Sequence, residues 1–193
     1  MKFSKLFGKF FIALIVPSLL LSSCALLGLE EEEDEAETAS ASIPELAGTW
    51  STACLDVGGG LIISLTHSGS TTDFQFAAYS DSGCSTAYYH SNEVSNSVTK
   101  GTETTLVDGT NGYTLSGKLT SSTYTPDSAT AANDMNTDSW CEITNWTSGT
   151  AKSIVGTSCT SKVVGGDVNV VYSVSGTSLK IDGSSSVTVL TKQ

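Results

Sequence analysis

The chain has 193 residues, 20 acidic against nine basic, a formal net charge of −11 and five cysteines. Every basic residue is a lysine, and removing the three at positions 2, 5 and 9 with an N-terminal export segment leaves six against 20 acids, a net of −14. Nucleic-acid binding needs a basic footprint and bidentate phosphate recognition favours arginine, so nucleic acid and anionic lipid headgroups are excluded as partners.

The chain begins "MKFSKLFGKFFIALIVPSLLLSSC". Three lysines precede an apolar run from Phe10 to Leu21, too short to cross a hydrocarbon core of about 30 Å as a helix, and Pro17 interrupts it. The segment reads as a secretory signal. Its end, Leu21-Ser22-Ser23-Cys24, resembles the bacterial lipobox: a branched apolar residue, two small residues and a cysteine. The resemblance implies that residues 1–23 are a lipoprotein signal peptide. It further implies that the Cys24 thiol takes a diacylglyceryl group and, with palmitate-type acyl chains, becomes the mature N-terminus. Two or more acyl chains, each buried methylene contributing about 0.8 kcal/mol, make a stable membrane anchor. Ala25 rather than aspartate follows. By analogy with lipoprotein sorting this implies the outer membrane of a Gram-negative cell envelope, with the leaflet and surface exposure left open.

Residues 24–45 are expected to form a disordered tether. Glu30 to Glu37 is a block of like charge followed by Ala, Ser, Thr and Pro44, and such runs repel themselves and stay extended.

From Leu46 to Gln193 the sequence becomes rich in Ser, Thr, Gly and Val, with short alternating runs. "GLIISLTH" places Leu61, Ile63 and Leu65 on one face, and "TDFQFAAY" does the same with Phe74, Phe76 and Ala78. "GYTLSGKL" contributes Tyr113, Leu115 and Leu119, and "DVNVVYSV" contributes Val168, Val170, Tyr172 and Val174. "TSLKID" offers Leu179 and Ile181, and "SVTVLTK" offers Val187 and Val189. This is the period of two expected of strands, bounded by turn signals such as "SGST", "DGTNG" and "DGSSS". The domain 46–193 is therefore all-β, with about eight to ten antiparallel strands in a barrel or, alternatively, a β-sandwich. Residues 123–139, "TYTPDSATAANDMNTDS", read as a long loop with a helical turn near Ala129 to Met135.

The opening stretch Gly48-Thr49-Trp50 resembles the first strand of lipocalin-like (calycin-type) barrels, and "YSVSGTSLKI" followed by "SVTVLTK" resembles their closing strands. The resemblance implies a single lipocalin-like barrel with Trp50 plugging one end. It also implies a small apolar ligand, bounded by a lining of Trp50, Leu61, Leu65, Phe74, Phe76, Tyr113 and Leu115. Family members carry a late arginine stacked on the tryptophan; this chain has none, and Lys180 and Lys192 are its late cations. The alternative function is a structural or interaction lipoprotein whose filled core presents loops to a protein or glycan.

With Cys24 assigned to the lipid, Cys54, Cys84, Cys141 and Cys159 form an even set in an exported chain, expected as two disulfides. Three connectivities exist. Cys54–Cys84, closing a loop around two strands, and Cys141–Cys159, across a hairpin turning at "TSGT" (residues 147–150), are the favoured pair. The spacings hold no C-x-x-C and give no zinc site. No motif for nucleophilic, metal or nucleotide chemistry occurs, and the reading is non-enzymatic with no cofactor and no metal. Tyr88 and His90 in "AYYHS" are haem-competent residue types, but strand packing accounts for them. "DMNTD" (134–138) has the oxygen spacing of a calcium loop without its glycine or terminal glutamate.

Overall fold

The computed structural model describes residues 42–183 and 185–193. The signal segment 1–23, Cys24 and the tether as far as residue 41 lie outside the described residues. Strands β3 (Gly60–Ser68), β4 (Thr71–Tyr79), β5 (Ala87–Thr105) and β6 (Asn111–Pro126) form an antiparallel meander. Next to β6 lies β8 (Asp167–Ser175), followed by β9 (Ser178–Asp182) and β10 (Val187–Lys192). Strand β1 (Gly48–Ser51) then pairs with both β10 and β3 and closes an eight-stranded antiparallel barrel. Two short strands sit beside this ring, β2 (Leu55–Asp56) on β3 and β7 (Lys152–Ser153) on β6. The expected all-β, lipocalin-like barrel is the observed architecture.

Side chains alternate across each strand, so the register identifies the inner face. Leu61, Ile63, Leu65 and His67 of β3 stand opposite Ala78, Phe76, Phe74 and Thr72 of β4. These in turn stand opposite Tyr89, Ser91, Glu93 and Ser95 of β5. On the far wall Leu115, Val170 and Val174 point the same way, as do Leu179, Ile181 and Leu190. Between β6 and β7 the chain forms helix α1 (Ala129–Thr137), N-capped by Ser128, whose side chain accepts from the Ala131 N–H.

One end of the barrel is a floor. Trp50 is fully buried there among Ile43, Leu46, Leu65, Leu179 and Leu190. Its indole N–H donates to the Leu46 carbonyl at 2.8 Å, so a large ring is buried without an orphaned donor. Gly48 enters β1 with φ of 109°, a conformation side chains disfavour, and the Lys192 side chain runs close to where a Cβ would stand. Lys192 Nζ then stands 5.1 Å above the Trp50 ring. Ile43 is buried and Glu45 accepts from Lys100 Nζ at 2.6 Å and from the Tyr172 hydroxyl at 3.2 Å. Residues expected at the end of the tether therefore pack into the floor.

Both expected disulfides are present, Cys54–Cys84 with Cα atoms 5.9 Å apart and Cys141–Cys159 with 5.0 Å. Loops of these lengths stabilise by about 3 kcal/mol each in the chain-entropy account. The first encloses β3 and β4. The second does not span a hairpin: Cys141 lies in a 3-10 turn (Trp140–Glu142), and β7 pairs with β6 instead. Residues 123–126 extend β6 rather than opening a loop. In β10 the inward residue is Leu190, while Val189 is 52% exposed, a one-residue change of register that reverses the face.

Two outcomes follow. Trp50→Ala should lower unfolding stability by about 3–5 kcal/mol, measured by urea denaturation, because it empties the floor. The second concerns acid. Asp81 accepts backbone N–H bonds from Gly83, Ser85 and Thr86 in the turn carrying Cys84. Those bonds, that of Ser85 first, hold its carboxyl at about 2 against an ordinary 3.8. The unfolded chain binds this proton more tightly, so the contribution is complete above the ordinary value and is lost as pH falls through about 2. Asp81→Asn should flatten the fall of melting temperature across that range, read by circular dichroism.

Candidate functional site in the barrel interior

The middle of the barrel is where the inner face changes character. On β4 the inward residues are Phe74 and Phe76, ring centroids 4.8 Å apart and edge to face. Opposite them β5 presents Ser91 and Glu93, and β6 presents Tyr124 and Ser122. Small hydroxyl side chains stand where a filled core would carry leucine. Phe74, Phe76, Ser91 and Glu93 are only half-buried, although each lies within a strand hydrogen-bonded on both sides. A side chain on the inner face of a doubly flanked strand meets solvent from the inside. These residues are therefore partly accessible on the inner face of the barrel.

The roof lies over the ends of β4, β5 and β6. Helix α1 and the segment that follows supply Ala132, Met135, Trp140, Cys141 and Trp146, packed against Ala78, Tyr89 and Tyr124. Tyr89, Tyr124 and Trp140 form an aromatic triangle with centroids 5.6, 5.9 and 6.1 Å apart. The Tyr88 hydroxyl donates to Asp134 at 2.6 Å, and Asn136 brackets Trp146 by accepting its N–H and donating to its carbonyl. The Asp134 and Asn136 side-chain oxygens of "DMNTD" are thus occupied in fastening the roof. His90 pairs with Asp127 at 2.9 Å on the other face of β5. Among the described residues no group of three potential metal ligands is assembled.

One ion pair stands on the inner wall. Lys162 Nζ reaches Glu93 Oε1 at 2.6 Å, with the two side chains 22% and 19% exposed. Glu93 is held within β5, directly between Phe74 and Ser122. Lys162 comes from the irregular segment between β7 and β8, beside Val163 and Val164, which are 59% and 61% exposed. Burial pushes the neighbouring Tyr124 hydroxyl up to about 12, and the Glu93 charge adds to the rise.

Of the expected lining, Trp50, Leu61, Leu65 and Leu115 belong to the main core cluster, and Phe74 and Phe76 pack against it, only partly buried. Tyr113 is 37% exposed and faces a separate cleft of about 380 Å³ at the floor end, shared with Glu45, Lys100, Glu103 and Tyr172. There Lys100 Nζ lies 3.6 Å from the Tyr113 ring centroid, and its hydrogen bond is the largest cause holding the Glu45 carboxyl below its ordinary value. The interior residues absent from the sequence reading are Ser91, Glu93, Ser122 and Lys162. No known protein family matches the chain, and no curated protein is similar to it.

Interior space makes a direct prediction. Ser91→Leu should leave unfolding stability within about 1 kcal/mol of the parent, measured by urea denaturation, whereas overpacking a filled core costs about 1–3 kcal/mol.

Proposed function

We propose that the chain is a lipid-anchored lipoprotein of the bacterial cell envelope whose barrel carries a small, largely apolar ligand. The observation that carries the reading is the partial exposure of Phe74 and Phe76 on an inner wall flanked on both sides. Partly exposed aromatic rings on the inner face are suited to an apolar molecule, and burying such a molecule there contributes about 25 cal/mol per Å² of apolar area. The lipobox-like "LSSC" supports the anchor, and Ala25 supports the outer membrane. The reading is one of binding rather than catalysis.

A second reading, an interaction protein presenting its loops, is favoured by one feature: Val163 and Val164 stand exposed in succession in the segment between β7 and β8. An exposed apolar pair of this kind suits a partner surface.

Native mass spectrometry of the protein extracted from its own membrane tests the carrier reading. A co-purifying small molecule, lost when Phe74 and Phe76 are both changed to alanine, is the expected result; a mass equal to the acylated chain alone contradicts it. Cys24→Ala should move the protein from the membrane to the soluble fraction on cell fractionation. Retention in the membrane would refute the lipid anchor.

A further inference from the structure

We propose that the interior site takes an organic ammonium, an amine-headed molecule with an apolar body, and that Lys162 is its built-in stand-in. The inference rests on the carrier reading and names the class of ligand. Its starting point is the carboxylate of Glu93. A charge on the inner wall of a barrel costs several kcal/mol to bury unless it is paired, and it confers nothing on the packing. Phe74 lies directly across from it on β4, with Phe76 against Phe74, and Tyr124 stands on the adjoining strand. The carboxylate suits an ammonium group, and the apolar rings beside it suit an apolar body.

The ammonium in the site belongs to the chain itself, with Lys162 Nζ 2.6 Å from Glu93. The two partners are not equally replaceable. Glu93 sits within a strand paired on both sides, whereas Lys162 lies outside any helix or strand, next to two exposed valines. Withdrawal of the Lys162 side chain returns a strongly hydrated ammonium to solvent. A ligand ammonium arriving in its place keeps Glu93 paired throughout. The exchange conserves the number of interior ion pairs, so the buried carboxylate is never left alone. The ligand's apolar body then covers Phe74 and Phe76, which the Lys162 stem leaves half exposed.

An anionic ligand fits the same site poorly. It would have to take Lys162 from Glu93, leaving two carboxylates on one wall. The net charge of −11 acts in the same direction, raising the local concentration of cations and lowering that of anions.

Isothermal titration calorimetry of the purified protein at neutral pH with octylammonium, octanol and octanoate decides the matter. Octylammonium is expected to bind about tenfold more tightly than octanol, with octanoate weakest. Lys162→Met should tighten octylammonium about tenfold further, because the resident cation no longer competes. Glu93→Gln should erase the preference for octylammonium while leaving octanol binding in place. Octanoate binding as tightly as octylammonium, or an ammonium preference that survives Glu93→Gln, overturns the ligand class and leaves the carrier reading standing. Failure of all three probes to bind both the parent and Lys162→Met overturns the carrier reading and this inference with it. Near-UV circular dichroism checks the fold of each variant, and if Glu93→Gln does not fold, the response of Lys162→Met alone decides.

Discussion

Everything in this barrel depends on one strand of four residues being paired on both sides. β1 hydrogen-bonds to β10 through Trp50 and Ser51 and to β3 along its whole length. Without it, the eight-membered ring would be an open sheet with two exposed edges, and unpaired edges invite association with other chains. The strand also carries the side chain that fixes one end. Trp50 fills the floor, holds the Leu46 carbonyl and supports Lys192 on its ring, so closure and plugging come from the same residue. The Gln193 N–H donates to the Thr49 carbonyl, bringing the C-terminal residue to the same seam.

The two ends of the barrel are built differently, and the difference positions the site. The floor is apolar and dense, closed by residues next to the chain's entry, with Glu45 fastened to Lys100 and Tyr172. The roof is a long excursion between two strands, held by the Cys141–Cys159 disulfide and by hydrogen bonds from Tyr88 and Asn136. Between them β5 and β6 present Ser91, Glu93 and Ser122 on the inner face, beside Tyr124. Dense packing at both ends supplies the stability that a middle lined by Ser91, Glu93 and Ser122 does not.

Alternation in the sequence revealed the strands whose inner faces are apolar. Leu61, Ile63 and Leu65, then Phe74 and Phe76, then Tyr172, Leu179 and Ile181 all lie inward as the period of two requires. Strand β10 slipped by one residue because Val187, Val189 and Leu190 offer apolar side chains to both faces. Strand β5 left little trace, although at 19 residues it is the longest. Its inner face alternates serine and glutamate where the pattern looks for leucine, and bulges between Val94 and Ser95, Asn96 and Thr99, and Lys100 and Glu103 break the period. The candidate site was hidden for the same reason: the residues that make it a site are those that spoil a hydrophobic pattern. Lys162 was further out of reach, since its partner lies 69 residues away and only the closed barrel brings them together.

The central claim is that the space bordered by Phe74, Phe76, Ser91 and Glu93 admits a ligand. Intermolecular nuclear Overhauser effects between octanol and the assigned side chains test it most directly, because they report which protons lie within about 5 Å of the bound probe, a distance of ordinary side-chain contact. The account predicts cross-peaks from octanol to the rings of Phe74 and Phe76. Cross-peaks confined to Tyr113 and Val174 at the floor cleft, with none to the two phenylalanines, would contradict it.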